Sequence, residues 1–337
     1  MGLPVKSLIA ALFASAFALT AHAEDKKPLL VYVTGPIGVD NFLKQGWEGA
    51  QRAAKELGGT ARLYESPDPT TKRQNVEAAA RAGADLVVTI TYEFDDILAE
   101  VAKAYPNIKF LDVDACPKDP APNVTCVGFR EQEVNFLAGV EAALTSKTGT
   151  IGAIGALDIP FIHRWTDSFA DGAKYAKPDI KVLNTLWVGG DNPFSDPARG
   201  QQRAVSVLSD GADRLMAAAS ASNTGIFASL PDFPGVLAFG VDVNQCPEAE
   251  GFILDNVEKK TDVATHATAL AVIKGEAKQH TVLGLAEGGL DLTGLGPDVA
   301  ASKCVIAEYP DVIAKVRQVK QDIIDGKVAV RDPLTSP

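Results

Sequence analysis

The sequence predicts an α/β protein built as two α/β/α lobes with parallel sheets. Three observations carry that reading: strand-sized apolar runs alternate with helical periodicity, the pattern echoes itself further along, and the length suits two domains.

The first segment reads as lying outside the fold. Lys6 gives a modest positive start, "SLIAALFASAFAL" is a short apolar stretch, and "AHA" at 21–23 is a small-x-small cleavage pattern. Residues 1–23 therefore read as a cleavable signal peptide that directs the protein to a periplasm. No cysteine stands at the cleavage point, so a soluble product is expected rather than a lipid-anchored one. No later run approaches the ~18 uninterrupted apolar residues of a membrane span. Removing 23 of 337 residues leaves 314, and losing Lys6 takes the formal net charge from −11 to −12. Such an acidic chain lacks the clustered Lys and Arg that phosphate contacts need, so no nucleic acid partner is expected.

From Leu29 the alternation begins. "LLVYVT" precedes "NFLKQGWEGAQRAAKELG", which is apolar at helical spacing and closed by Gly58. "ARLYES", the helix "TKRQNVEAAARAG", "DLVVTI", "FDDILAEVAKAYP" and "IKFLDVD" follow. Strand and helix in this rhythm give a parallel sheet with helices on both faces. The pattern then repeats: "QNVEAAARAGADLVVTI" (74–90) is similar to "QRAVSVLSDGADRLMAAA" (202–219), and their aspartates, Asp85 and Asp213, lie 128 positions apart (213 − 85). "YPNIKFLDVD" is echoed by "KPDIKVLNTLW" at a different offset. Two similar lobes fit this better than one sheet; chance likeness between generic strand–helix units is the alternative.

Between the halves, "TSKTGTIGAIG" lacks the G-x-x-x-x-G-K-[ST] of a phosphate loop and the G-x-G-x-x-G of a dinucleotide loop. Its glycines read as scaffold, with Gly149 capping a helix and Gly152 and Gly155 allowing close packing beside a strand. Of the four cysteines, Cys116 and Cys126 flank the Pro-rich "PKDPAPNVT" and suit a local disulfide. Cys246 and Cys304 would then pair over a long range; buried free thiols are the alternative. No Cys-x-x-Cys is present and the mature histidines, His163, His266 and His280, are scattered, so no metal site is expected.

"FREQEVNFLAGVEAALTSKTGTIGAIG" followed by "IPFIHRWTDSFADGAKYAKPDIKV" resembles the basic membrane protein family, substrate-binding proteins of ABC importers related to purine-nucleoside receptors. The resemblance continues through "WEGAQRAAKELG", "YPNIKFLDVD", "NPFSDPARGQQRAV", "GADRLMAAAS", "FGVDVNQ" and "LGLAEGGLDLTGLG", in order and over nearly the whole mature chain. It implies a type I periplasmic binding protein fold. Residues 28–128 and 256–280 would form the N-terminal lobe, and 129–255 and 281–337 the C-terminal lobe. Two departures bear on the ligand: Leu43 follows Phe42 where the family has Asn, and Ser220, Ser222 and Asn223 stand where glycines are common.

Ligands of parallel α/β sheets sit beyond the carboxyl ends of the strands. In the first lobe that rule selects Asp40, Asn41 and Phe42, then Thr91 to Glu93 with Tyr92, then Asp114. In the second it selects Phe161 to Trp165 with Arg164, Trp187 to Phe194, Ser220 to Asn223, and Asp242. Aromatics with carboxylates and amides suit a planar polar ligand, its faces stacked and its edge read by hydrogen bonds. The resemblance implies base stacking for Phe42 and sugar-hydroxyl recognition for Asp242. Each candidate has a plainer alternative: packing for the aromatics, helix capping for Asp242, and pairing with an Asp such as Asp167 for Arg164.

No G-x-S-x-G elbow or H-E-x-x-H is present. The expected function is therefore capture rather than catalysis. A periplasmic monomer without a cofactor closes on a purine nucleoside, nucleobase or related ring, and an ABC importer permease takes the closed form. A receptor for another heterocycle or a sugar, a sensor and a periplasmic enzyme are the alternatives.

Overall fold

The computed structural model describes residues 27–38 and 40–336. The expected signal peptide, 1–23, lies outside them. Among the described residues no helix is long and apolar enough to cross a membrane.

The chain first builds β1 (Leu29–Thr34), β2 (Thr60–Glu65), β3 (Leu86–Ile90), β4 (Lys109–Val113) and β5 (Val124–Phe129). It crosses over to build β6 (Thr150–Gly155), β7 (Lys181–Val182), β8 (Leu186–Trp187), β9 (Arg214–Ala218), β10 (Leu237–Asp242) and β11 (Ile253–Lys259). It returns for β12 (His280–Leu283) and crosses again for β13 (Leu290–Leu292). Two separate sheets result, ordered β12-β5-β4-β3-β1-β2 and β13-β11-β10-β9-β6-β7, with β8 beside β7 on the same edge of β6. All pairs are parallel except β11 with β13. The central strands are buried because helices cover both faces: every residue of "LVVTI" in β3 is buried.

These sheets place the crossings a few residues from the expected points. Ile253–Lys259 is a strand of the second sheet, not the first lobe's opening segment, and His280–Leu283 pairs with β5 in the first. The helices follow the same exchange. Glu131–Thr145 packs on Pro160–Ala176 in the second lobe, while Thr261–Lys274 packs on Asn41–Glu56 in the first. We call these four helices α3, α4, α5 and α1 respectively, with α2 the intervening Pro69–Arg81. Helix α3 ends at Thr145, so Gly149, at φ 69°, turns the chain three residues beyond Ser146 instead of capping the helix directly. Gly152 and Gly155 do pack closely, since an added Cβ would lie 2.4 Å from Val207 and 2.3 Å from Trp187.

The internal echo has a physical basis. Asp85 accepts a hydrogen bond from the Leu29 amide where β1 begins. Asp213 accepts from the Lys147 and Thr148 amides just before β6. Each aspartate pins the first strand of its lobe. Both disulfides are formed, with Cα separations of 5.4 Å for Cys116–Cys126 and 5.1 Å for Cys246–Cys304.

Candidate functional site: a ligand cleft between the lobes

The strand ends of both sheets face one another across a cleft of about 470 Å³. That size falls within the ~300–1,000 Å³ of small-molecule sites. Hydrogen bonds already join its walls: the Ser220 hydroxyl donates to Asp40 at 3.1 Å, and the Gln45 amide donates to the Asp242 carbonyl at 3.2 Å.

Lys259, at the end of β11, is the central charge. The residue is 1% exposed. Its Nζ lies 2.7 Å from Asp114 of the first lobe and 2.8 Å from Glu131 on the crossing into α3. The rings of Phe42, Phe129, Phe161 and Trp165 surround it at 5.0–5.3 Å, close enough for cation–π attraction. Burial alone would drive such an ammonium neutral, but Asp114, Glu131 and Asp242 outweigh it and hold the proton above the ordinary lysine range. Several carboxyls thus share one cation. Burial lifts both Asp114 and Asp242 to about 7 against the pull of Lys259, and the other acids push the same way.

The backbone under these groups is unusual. Thr91 (φ 81°), Asp114 (φ 67°), Ser220 (φ 48°) and Asp242 (φ 68°) are non-glycine residues at positive φ, and all four line the cleft. Such conformations cost on the order of 1–3 kcal/mol each and persist where surrounding structure enforces them. Here they turn carboxyl and hydroxyl groups inward at the ends of β3, β4, β9 and β10.

The family model described as "ABC transporter substrate-binding protein PnrA-like" matches residues 26–331. The chain belongs to this family. One relative, "ABC transporter nucleoside-binding protein BmpA" of Lactococcus lactis subsp. cremoris, is 31% identical over 328 residues, covering 91% of this chain and 89% of its own. A Pyrococcus abyssi protein named as an uncharacterized lipoprotein is 30% identical, with 88% of this chain and 76% of that one covered. Among solved structures, an ABC transporter solute-binding protein from Aeropyrum pernix K1 superposes with a TM-score of 0.79 at 25% identity, covering 91% and 94% of the two chains. As an ABC substrate-binding family member the protein binds a small molecule and works with a membrane permease.

For this PnrA-like chain, the cleft lining includes Asp40, Phe42, Tyr92, Asp114, Trp165, Phe194 and Asp242. Asp40 also caps α1, accepting from the Phe42 and Leu43 amides, and its burial raises its pKa. Four expected residues are placed elsewhere. Asn41 is the exposed first residue of α1 and does not line the cleft. The Arg164 guanidinium forks onto Asp332 at 2.8 and 2.6 Å and reaches Glu131 at 3.2 Å, so it braces the hinge and not a ligand. The Trp187 ring packs on His163 at 5.2 Å and does not line the cleft. Asn223 is fully buried, its amide donating to Ala217 and Gln245 while its oxygen accepts from Ala219. It fixes the turn after β9.

Lys259 and Lys72 were not among the expected residues, yet both line the cleft. Lys259 does sit at a strand end, but "NVEKKTDVATH" reads as the start of a first-lobe helix, which hides it. Lys72 lies inside a helix, where a strand-end rule does not look.

Proposed function

We propose that the protein captures a purine nucleoside or a close relative in the periplasm and delivers it to an ABC importer. The observation that carries this reading is the Lys259 centre: one ammonium and the Asp114 and Asp242 carboxyls stand beside Phe42, Phe161 and Trp165 in one interlobe cleft. Carboxylates and an ammonium together suit vicinal hydroxyls, which both donate and accept, while aromatic rings suit the faces of a base. The nucleoside-binding name of the Lactococcus lactis relative points the same way. Closing the lobes gives a bridging ligand more contacts than the open state offers, so binding favours the closed form that a permease would recognise.

A thermal-shift screen of nucleosides, bases, sugars and pyrimidines tests this. A nucleoside at ~100 times its Kd adds about 2.7 kcal/mol and raises Tm. If a free sugar stabilises the protein and no nucleoside does, the reading is wrong.

A further inference from the structure

The cleft has a second charged pole that the Lys259 centre does not use. Lys72, on α2, is 7% exposed, and its Nζ lies 2.6 Å from the Glu93 carboxylate and 5.7 Å from the Phe94 ring centre. Both charged residues line the cleft, with Ser66 at the end of β2 and Thr91 at the end of β3 beside them. Asp114 ends β4, and the sheet order β4-β3-β1-β2 puts three strand intervals between it and Ser66. At ~4.8 Å per interval that is about 14 Å to Ser66, while Glu93 follows β3, the neighbour of β4, so the Lys72–Glu93 pair lies on the β2 side of Asp114 along the cleft.

The other lobe shows that this pair is not required by the turn. Shifting by the 128 positions that separate Asp85 from Asp213 places Gly200 opposite Lys72 (72 + 128). The same shift matches the one-turn helices Tyr92–Phe94 and Ser220–Ser222 and places Ala221 opposite Glu93 (93 + 128). In the second lobe neither counterpart carries a charge, and the backbone closes in instead: a Cβ on Gly200 would lie 2.6 Å from the Ser222 carbonyl oxygen. The first lobe spends a buried lysine at the same place and turns it to the cleft.

The geometry points to the Lys72–Glu93 pair as the reader of the ligand's far edge, selecting a ring that carries a carbonyl beside an N–H, as in 6-oxopurines. This rests on the nucleoside reading above and narrows it. An ammonium offers only donors and a carboxylate only acceptors, so the complementary edge places an acceptor against Lys72 and a donor against Glu93. A lactam does this with an oxygen that projects from the ring. An aminopurine carries the donor and the acceptor in the reverse order, so in the orientation a lactam adopts its amino hydrogens would face the ammonium and its bare ring nitrogen the carboxylate. Glu93 keeps a second oxygen, and Lys72 further N–H groups, beyond their mutual contact, so the edge docks onto the pair without breaking it.

Calorimetry with inosine, adenosine and unsubstituted purine riboside separates the claims. Inosine should bind roughly tenfold or more tighter than the other two, the worth of hydrogen bonds to charged groups. Glu93→Gln and Lys72→Met should each weaken inosine by about tenfold and leave purine riboside unchanged. Glu93 is half-exposed, so its variant folds even if Lys72→Met does not. Inosine binding untouched by Glu93→Gln, or a preference for adenosine, overturns the inference alone. If purine riboside and inosine both fail to bind, the nucleoside reading falls and this inference falls with it.

Discussion

The two lobes are near copies that differ where the ligand would sit. The 128-residue offset between Asp85 and Asp213 also relates Asp114 to Asp242 and Glu131 to Lys259 (114 + 128 and 131 + 128). Asp114 and Asp242 share a φ of 67–68° and are both lifted to about 7 by burial. Glu131 and Lys259 end equivalent crossings and bind each other at 2.8 Å, where the lobes meet. Repetition thus supplies a paired set of carboxyls, and one position with the charge reversed supplies the cation they share. The duplicated parts build the frame; the departures from duplication make the site.

The largest expected effect follows from removing that reversal. Lys259→Met leaves Asp114 buried without its cation and Glu131 with Arg164 alone, and should cost about 3–5 kcal/mol, with loss of ligand binding. Urea unfolding measures it. Glu131→Gln should cost less, because Asp114 still faces the ammonium and Arg164 still has Asp332. Equal losses would mean that the two positions act as interchangeable halves of one bridge.

The aspartates give the next test. Their folded pKa values lie above the ordinary ~3.9. The folded state therefore binds more protons than the unfolded one between about pH 4 and 7, and this contribution to stability is lost as pH rises through about 7. Ligand-free protein should be more stable at pH 5 than at pH 8. Asp114 touches Lys259, whereas Asp242 acts on it from further away. Asp242→Asn should accordingly raise ligand-free stability at pH 8 by about 1 kcal/mol or more, as expected when a costly buried charge is removed. Asp114→Asn should not. Identical melts of the two variants would show that the lobes are electrostatically equivalent after all.

How far this was legible from sequence depends on range. Alternation and the Gly-Ala-Asp echo gave the two lobes, since periodicity and turns are local. Asp114 and Asp242 were legible because they directly end strongly apolar strands. Arg164 was not, because Asp332, its partner, lies 168 positions away and is brought to it only by the final chain segment. Asn223 and Trp187 sit near strand ends as expected, but their side chains point into the lobe, a direction set by packing. Lys259 needed knowledge of which sheet β11 joins.

The disulfides compare the lobes on a smaller scale. Each ties down the loop that follows an equivalent strand, β4 or β10, but the bridges span 10 and 58 residues. Under the chain-entropy account the longer loop restrains the unfolded chain more, by about 1.5 kcal/mol. Replacing Cys246 and Cys304 by Ser should therefore lower stability more than replacing Cys116 and Cys126, a difference readable in paired urea melts. The reverse order would place the first lobe's loop under greater native constraint than its partner.

The smallest expected difference lies in the matching strained turns. Thr91 has φ 81° and ψ 155°, a region nearly reserved for glycine, whereas Ser220 has the smaller positive φ of 48°. Glycine relieves strain but adds chain entropy to the unfolded state, about 0.5–1 kcal/mol against it. For Thr91→Gly the relief should win, giving a gain of roughly 1 kcal/mol. For Ser220→Gly the relief is smaller, and the hydroxyl that donates to Asp40 across the cleft is lost. That variant should come out neutral or slightly destabilised, and its loss should be felt mainly in the closed state. Thermal melts with and without ligand separate the two contributions. A Thr91→Gly protein that is more stable yet binds ligand less tightly would show that this turn holds its strain to keep the Lys72–Glu93 edge in place. Equal gains from both glycines would mean that the turns are strained alike and that the Ser220–Asp40 bond contributes nothing to closure.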